Sequence, residues 1–404
     1  MEEELRVAVV SIYSIPNGGA ATNRILAYTK GLVENGAEVD VFAIFPTENH
    51  QPVKELLPKS GVYHNIRYSY TSGRYRSRYK IIRAISKISR FRHLYGYYTS
   101  YKQIRKQSKK CDYDALIIST DMIPALATFS HLANTICAKS IFIFDEFPTP
   151  IRHKLKTSIP IWKEILYKIV LKKIDAYISI SNELKNYYCG LSQKPTFVLP
   201  VIVDISKFIP SSSRNSTPRK YLCYMGNMEL SKDDVDNIIK SFHLVCDDFP
   251  DLELHLYGNP VPETMNTLTR LIDVLGLKDR VFLKGRVSNE LVPEIIQNAY
   301  VLVSSQPDTK RASGGFPTKL GEYLSTGIPT LITDVGENAK YVNDKEHVFF
   351  AKPKNPEDYA NCLNFILNNY KDALKVARNG QTFVYENYSH VIQGKRLIEF
   401  ISTL

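Results

Sequence analysis

Short apolar runs alternate with helix-like segments in two successive series along this chain of 404 residues. Residues 6–12 are almost wholly apolar, as is typical of a strand buried inside a parallel sheet. Strands and helices in alternation favour a mostly parallel sheet covered by helices. The sequence therefore predicts an α/β fold with two doubly wound, Rossmann-like domains. The predicted strands are residues 6–12, 39–45, 115–119, 140–144, 176–179 and 196–199, followed by 221–225, 252–257, 281–284, 299–304 and 330–333.

Chain length and one polar segment predict where the domains divide. A chain of this length exceeds one ordinary core and suggests two domains of about 200 residues each. Residues 210–218, rich in Ser and Pro, are predicted to be the linker. We therefore expect an N-terminal domain over 1–209 and a C-terminal domain over 219–384, facing each other across a cleft. The amphipathic segment 385–404 has no strand after it and is expected to pack back on the first domain.

Composition places the chain among folded proteins of a reducing compartment. A hydrophobic content of 44% with 11% aromatic residues supports globular domains. The acidic start lacks the layout of a signal peptide, and no run of about 18 apolar residues predicts a transmembrane helix. The six cysteines are scattered without metal-ligand spacing, which is typical of reduced thiols. We expect a cytoplasmic protein.

The net charge of +11 is concentrated in one block. No acidic residue occurs between Glu55 and Asp112, where Lys and Arg recur among tyrosines. Such a block indicates a polyanionic partner, either nucleic acid or an anionic membrane surface. Nucleic acid is not expected as a partner because no recognised binding module accompanies the charge.

Two basic amphipathic segments suggest how a membrane would be contacted. In residues 81–91, three basic side chains share one helical face and apolar side chains fall on another. Residues 162–173 mix lysines with aliphatic residues in a similar way. The residues expected to dock on an anionic membrane surface are Arg83, Lys87, Arg90 and Trp162. The alternative is a pair of solvated helices that pack on the first domain.

Residues 313–329 contain a glycine loop, a helix start and a new strand. Pro317 suits the first helical position, since its missing N–H would have no partner there. The amides of residues 318–320 would then be unpaired donors at the positive end of the helix dipole, where a diphosphate binds well. Glu322 lies about one turn further on, within reach of a ribose hydroxyl. The alternative is an ordinary loop, helix and strand of an α/β domain.

The motif FPTKLGEYLSTGIP at residues 316–329 makes the chain resemble a known family. It matches the donor-site signature of the family-four retaining glycosyltransferases with the GT-B fold, in the form found in polysaccharide-biosynthesis members. Weaker matches occur in the same order along nearly the whole chain. They are the glycine loop at 18–19, the segments 178–184 and 199–208, and the loop at 224–226 with Lys232.

Three positions depart from the family pattern. Gly314 stands where the first glutamate of the family's glutamate pair is expected, and Asn227 stands where an arginine is usual. The histidine that often follows a strand of the N-terminal domain is absent, and Asp145 and Glu146 occur there instead. These departures leave the identity of the transferred sugar open.

The resemblance implies a site for a nucleotide-sugar donor in the second domain and acceptor binding in the first. Lys232 would be the cation that stabilises charge on the departing diphosphate. Glu146 or Asp145 would supply a base, and a polar turn at the strand end is the alternative for both. The residues implied to bind the donor are Gly18, Gly19, Gly226, Asn227, Gly314, Gly315, Phe316, Pro317, Thr318, Lys319, Leu320 and Glu322.

No metal or cofactor is expected. Asp234 and Asp236 have the spacing of a metal-binding pair, but on a predicted helix their side chains would point about 200° apart and could not share an ion. The chain also lacks a dinucleotide-binding Gly-x-Gly-x-x-Gly sequence and a P-loop, which disfavours dehydrogenases and kinases.

The resemblance therefore implies a metal-independent hexosyltransferase. We expect it to move a sugar, with retention, from a nucleotide-diphosphate donor to a lipid-linked glycan during cell-surface polysaccharide synthesis, at the inner face of the cell membrane. A nucleotide-sugar epimerase or hydrolase on the same fold is one alternative. The other is a non-catalytic protein that binds sugar nucleotides, which the departures at Gly314 and Asn227 motivate.

Overall fold

The chain divides into two units in the computed structural model, which describes residues 4–46, 57–72, 89–154, 158–208, 220–315 and 318–404. The first unit comprises Met1–Ile202 together with His390–Leu404, and the second comprises Val203–Ser389. The predicted linker at 210–218 lies outside the described residues.

The first unit contains a sheet of eight strands within its described residues. All neighbouring pairs are parallel except the first, which is an antiparallel hairpin at the edge. The sequence analysis missed this hairpin, because its outer strand is short and largely exposed and carries no buried apolar run. In sheet order the strands are Ser60–Tyr63, Ile66–Tyr70, Glu38–Ala43, Arg6–Ser11, Ala115–Ser119, Lys139–Phe144, Ala176–Ser179 and Thr196–Val198.

The second unit contains a fully parallel sheet of six strands within its described residues. The strand Phe349–Ala351 was not predicted, since three residues are too few for a recognisable pattern. The remaining strands match the prediction closely, and the α/β fold class is confirmed. In sheet order they are Val281–Gly285, Glu253–Tyr257, Tyr221–Met225, Val301–Ser304, Thr330–Thr333 and Phe349–Ala351.

Helices connect these strands in both units. Those of the first unit are Ala20–Glu34, Ser89–Ser108, Ile123–Thr135, Thr149–Lys154, Ile161–Leu171, Asn182–Leu191 and His390–Ser402. Those of the second unit are Leu230–Asp233, Val235–His243, Pro262–Val274, Val292–Gln297, Lys310–Gly314, Thr318–Leu324, Asn338–Tyr341, Pro356–Asn368 and Tyr370–Tyr388, with a short 3-10 turn at Ile205–Phe208.

The end of the chain forms part of the first unit. The single helix expected over 385–404 is in fact two helices, because Ser389 is extended (φ −60°, ψ 150°) between Tyr370–Tyr388 and His390–Ser402. A Cβ added at Gly394 would lie 2.2 Å from the backbone of Gly31 in the helix Ala20–Glu34. The two helices therefore pack backbone against backbone, a contact that only glycine permits.

The crossing from the first unit to the second comes before residue 209. The Val203 N–H donates to the Tyr388 carbonyl at 3.1 Å, and the Tyr385 hydroxyl donates to the Phe208 carbonyl at 3.4 Å. Residues 203–208 are thus held by the last helix of the second unit. The boundary follows these hydrogen bonds and not the change in composition at 210.

Candidate active site

The loop after the strand Tyr221–Met225 is fastened to the helix Thr318–Leu324. The Met225 N–H donates to the Tyr323 hydroxyl at 2.9 Å. A Cβ added at Gly226 would lie 2.3 Å from the Tyr224 hydroxyl and 2.8 Å from Lys319 Nζ. A side chain at position 226 would therefore force the Tyr224 hydroxyl and the Lys319 ammonium to move.

Two residues of this loop adopt the left-handed conformation that side chains disfavour. Met228 has φ 55° and Asp234 has φ 37°. Each such residue costs about 1–3 kcal/mol and persists only where surrounding contacts hold it. One of these contacts is the Met228 N–H, which donates to the Tyr224 hydroxyl at 3.3 Å. The segment between them, which contains Lys232, thus has a left-handed residue at each end.

A buried ion pair joins this loop to the helix. Lys319 Nζ lies 2.9 Å from Asp233 Oδ1, with the Asp233 side chain only 2% exposed. The ammonium also lies 4.5 Å from the centre of the Tyr224 ring. Burial by itself would raise the pKa of Asp233, but the charge and hydrogen bond of Lys319, aided by Lys232 and the Tyr224 hydroxyl, lower it below its usual value. Asp233 is therefore a carboxylate at neutral pH.

A second ion pair lies at the start of the same loop segment. Arg311 Nη1 is 2.8 Å from Glu229 Oε1. Burial would raise the pKa of Glu229, but a hydrogen bond from Ser231 and the Arg311 guanidinium outweigh it and lower the pKa. Glu229 directly precedes the short helix Leu230–Asp233, so this ion pair holds the start of the helix that contains Lys232.

Lys232 and Glu322 are two charged residues of this region that form no ion pair with any residue the structure describes. Lys232 is partly exposed and lies near Glu229 and Asp233, yet it forms no ion pair with any described residue. The Glu322 carboxylate likewise has no hydrogen-bond or ion-pair partner in the part of the chain that the structure describes. Burial raises the pKa of Glu322, and the attraction of Lys207 and Lys319 only partly opposes this. The contact of Lys232 and Glu322 with a donor stays a prediction.

The remaining donor-site residues of the second unit fall into different surroundings. Asn227 is exposed, whereas Leu320 is 1% exposed and packs in the core. Gly314 is the last residue of the helix Lys310–Gly314, and Gly315 continues in extended conformation, so the expected glycine loop is shorter than predicted. The backbone of Thr318 begins the next helix. Phe316 and Pro317 lie outside the described residues.

The glycine loop at residues 18–19 of the first unit has one crowded and one open glycine. A Cβ at Gly18 would lie 1.9 Å from the Thr22 hydroxyl oxygen, and that hydroxyl donates to the Ser14 carbonyl at 2.8 Å. Gly19 caps the helix Ala20–Glu34 and has open space around it. The loop therefore combines a close backbone approach with an open face, and its contact with a donor stays a prediction.

Asp145 is held in an ion pair that the sequence did not predict. Arg24 Nε lies 2.8 Å from Asp145 Oδ1, and the Arg24 side chain is only 3% exposed. The same guanidinium donates to the carbonyls of Leu199 and Pro200. Burial raises the pKa of Asp145, Arg24 lowers it and Glu146 raises it further, for a net increase. Of the two residues expected to supply a base, Asp145 is already paired, and the role of either stays a prediction.

The sequence predicted that Asp234 and Asp236 lie on one helix, but they do not. Asp234 precedes the helix Val235–His243 in left-handed conformation, so the helical angle between the two side chains does not apply. Burial, together with the charge and a hydrogen bond of Asp236, raises the pKa of Asp234 to about 6. Across the described ranges, no group of three or more His, Cys, Asp or Glu residues could hold a metal ion.

Apolar side chains are exposed on two helices of the first unit. On Ile161–Leu171 five of them project into solvent, and on Ser89–Ser108 four do so at helical spacing. Both helices contact the helix Ile123–Thr135. No helix among the described residues is long and apolar enough to cross a bilayer. The exposed side chains are Ile161, Trp162, Ile165, Leu166 and Ile169, and Phe91, Leu94, Tyr95 and Tyr98.

The basic residues predicted to accompany them are only partly covered by the structure. Arg83 and Lys87 lie outside the described residues, and only the backbone of Arg90 is described. Trp162 is 63% exposed. Leu94, Tyr95 and Tyr98 were missed, although the spacing of apolar residues beyond Phe91 in the sequence would have extended the segment.

Sequence reasoning also missed the residues that support Lys232. Arg311 and Glu229 are 82 residues apart, and Lys319 and Asp233 are 86 apart. No local pattern connects residues at such separations. These pairs exist only because two strand ends of one parallel sheet bring their following segments together.

Part of this chain matches a known family model, and its fold matches solved structures. Residues 206–383, most of the second unit, match the family model Glycosyl transferases group 1. Mannosylfructose-phosphate synthase of Agrobacterium fabrum is 27% identical over 183 residues, which are 42% of this chain and 39% of that enzyme. The sucrose-phosphate synthase of Thermosynechococcus elongatus has a TM-score of 0.73 at 16% identity, covering 99% of this chain and 100% of that one. HepE of Anabaena, solved in complex with UDP-glucose, has a TM-score of 0.69 at 14% identity, covering 99% and 100%.

These likenesses show a domain and a fold. Residues 206–383 of the second unit match the glycosyl transferases group 1 domain, and the whole chain has the GT-B fold of glycosyltransferases. The match to the curated relative spans only 39% of that relative's length.

Proposed function

We propose that the protein transfers a sugar, with retention of configuration, from a nucleotide-diphosphate donor to a glycan carried on a membrane lipid. The observation that carries the donor half is the pairing pattern of the second unit. Glu229 and Asp233 are each paired, whereas Lys232 and Glu322 are left available beside them. The family match over this unit and the UDP-glucose complex of HepE support a nucleotide sugar as the ligand.

The chemistry follows from where charge develops. As the bond between the sugar and the diphosphate breaks, negative charge accumulates on the leaving phosphate, and a fixed cation there lowers the barrier. Lys232 supplies that cation, and Glu322 accepts a hydrogen bond from a ribose hydroxyl. Because Lys232 neutralises the leaving group, we propose that no metal ion is required. Glu146 or Asp145 takes the proton of the acceptor hydroxyl in this proposal.

Donor binding is tested by thermal shift. A bound ligand raises the unfolding temperature according to its concentration relative to its dissociation constant. We expect one nucleoside diphosphate among UDP, GDP, ADP and dTDP to stabilise the wild-type protein, with or without EDTA. If none of them does, the proposed donor site is wrong. Rapid conversion of the donor in the absence of any acceptor would indicate an epimerase or hydrolase, and binding without turnover would indicate a non-catalytic protein.

The acceptor half of the proposal depends on the exposed apolar side chains of the first unit. Trp162 and Ile165 lie on a helix that continues into the exposed lysines Lys172 and Lys173. Lys102 and Arg105 are exposed on the helix Ser89–Ser108, which has no acidic residue. Apolar side chains flanked by basic ones suit the interface of a bilayer with anionic lipids. Such docking would bring the enzyme to a lipid-linked acceptor.

Sedimentation with liposomes tests the docking. We expect the wild-type protein to sediment with anionic vesicles and to stay in the supernatant with zwitterionic ones. Trp162→Ser with Ile165→Ser should weaken sedimentation about tenfold or more, given the apolar area removed. Val274→Ser in the second unit, where Val274 is 74% exposed, is the matched control. Sedimentation that is unchanged by the double substitution would contradict the proposal.

A water-soluble sugar phosphate is the competing acceptor. Two of the relatives, mannosylfructose-phosphate synthase and sucrose-phosphate synthase, are named after sugar phosphates. Supplying the donor with hexose phosphates in one reaction and with lipid-linked glycans in another separates the two. Turnover with hexose phosphates alone would remove the lipid-linked acceptor from the proposal and leave the donor half intact.

A further inference from the structure

The ammonium of Lys319 contacts other side chains of the protein. Its Nζ lies 2.9 Å from Asp233 Oδ1 and 3.5 Å from the Tyr224 hydroxyl, and its side chain is 17% exposed. It also lies over the face of the Tyr224 ring, and a Cβ added at Gly226 would lie 2.8 Å from it. These contacts use the charge within the protein, although the residue lies at the start of the helix that was expected to face the donor.

Its partner Asp233 is adjacent in sequence to Lys232. The helix Leu230–Asp233 is a single turn between Met228 and Asp234, both left-handed. Asp233 is the most deeply buried charged side chain of this stretch, at 2% exposure. Wherever Asp233 is held, the neighbouring Lys232 must follow, since the two are joined by one rigid peptide group.

We propose that the Lys319–Asp233 ion pair is a positioning device that holds Lys232 in place, and that Lys319 acts on the donor only through this pair. The inference rests on the proposed function, because it assigns Lys232 to the donor diphosphate. It makes Lys319 and Asp233 positioning residues and gives Lys319 a different role from a direct donor contact.

Three variants separate this positioning role from two others. In one, Lys319 contacts the donor directly, and in the other, the ion pair only stabilises the fold. Asp233→Asn and Lys319→Met each remove one charge and leave the other buried without its partner. The double variant Asp233→Asn/Lys319→Met removes both charges with little change in shape, so no unpaired buried charge remains. Lys375→Met is the control, because Lys375 forms an exposed ion pair with Asp372 on the helix Tyr370–Tyr388.

The measurements are the unfolding temperature and the dissociation constant of the nucleoside diphosphate that stabilises the wild-type protein in the UDP, GDP, ADP and dTDP screen. We expect each single variant to unfold at a lower temperature and to bind about tenfold more weakly, as for the loss of a charged hydrogen bond. The double variant should regain most of the unfolding temperature but not the affinity. Lys375→Met should change neither quantity.

Other patterns overturn the inference. If Lys319 contacts the donor directly, Asp233→Asn frees the ammonium and affinity is kept or improved, whereas Lys319→Met loses it. If the pair only stabilises the fold, affinity returns together with the unfolding temperature in the double variant. If the wild-type protein binds none of the four nucleoside diphosphates, the proposed function fails and the inference with it. That result is distinct from a wild-type protein that binds while its variants do not follow the expected pattern.

Discussion

Each unit contains a buried or partly buried aspartate paired with a cation from another element, at 2.8 Å for Asp145 and 2.9 Å for Asp233. In the first unit the partner Arg24 also donates to the carbonyls of Leu199 and Pro200, so its guanidinium is already bound within the protein. In the second unit the pair stands beside Lys232, which has no ion-pair partner among the described residues. The two paired aspartates therefore differ in their surroundings, since Asp233 adjoins a lysine that we propose as a donor contact and Asp145 does not.

The largest expected effect is on Lys232. Lys232→Met keeps the aliphatic stem and removes the charge that would face the leaving diphosphate. We expect kcat to fall about 10²–10³-fold, as for the loss of one electrostatic contact to a developing charge. Steady-state transfer kinetics measure it, with Lys278→Met, 68% exposed in the wild-type pair with Asp273, as the control. Unchanged turnover would remove the distinction between the two clusters.

The next effect concerns how the first unit is closed by the end of the chain. Gly394→Ala places a methyl group 2.2 Å from the backbone of Gly31, so the helix His390–Ser402 must move away from Ala20–Glu34. We expect a loss of about 3 kcal/mol in the free energy of unfolding of the first unit. Hydrogen exchange should show lost protection in that unit while the second keeps its own. Equal losses in both would show that the units do not unfold separately.

A smaller effect is expected at Asp145. Asp145→Asn leaves Arg24 buried with only carbonyl partners, and we expect a loss of about 2 kcal/mol, less than for a fully buried pair because Asp145 is 31% exposed. Chemical denaturation measures the loss. Transfer activity at saturating substrate should change much less than in Lys232→Met. A comparable fall in kcat with normal stability would instead support Asp145 as the catalytic base.

The smallest effect is expected at Glu322, and its sign depends on pH. The pKa of Glu322 is raised in the folded protein above its ordinary value of 4.5, so the unfolded chain releases this proton first as pH rises. Stability therefore falls as pH rises from 4.5 through the raised value. Glu322→Gln should remove this penalty and be more stable than wild type at neutral pH.

The same substitution should weaken donor binding, because an amide is a poorer acceptor than a carboxylate for a ribose hydroxyl. Thermal unfolding across pH, with and without nucleotide, measures both effects. A variant that is less stable at neutral pH would contradict the burial of this carboxyl. A variant that binds as tightly as wild type would contradict its role as a ligand residue.

Much of the fold was predictable because buried parallel strands carry their own signal. The runs at 115–119, 176–179, 221–225 and 330–333 were predicted at the bounds the structure gives them. The edge hairpin at 60–70 was not, since exposed strands lack a continuous apolar run. The two left-handed residues around Lys232 were also not predicted, because neither is a glycine.

The sequence by itself determined the α/β class and the two series of strands, since apolar periodicity is local. From the motif it also predicted which residues would contact a donor. Only the tertiary structure decided which charges are already used. It paired Asp145 with Arg24, Asp233 with Lys319 and Glu229 with Arg311, and it left Lys232 and Glu322 available. The physical reason is that these ion pairs form between segments that follow different strands, and the sheet brings those segments together across 82 residues or more. A local sequence pattern therefore cannot predict which partner a charged residue has.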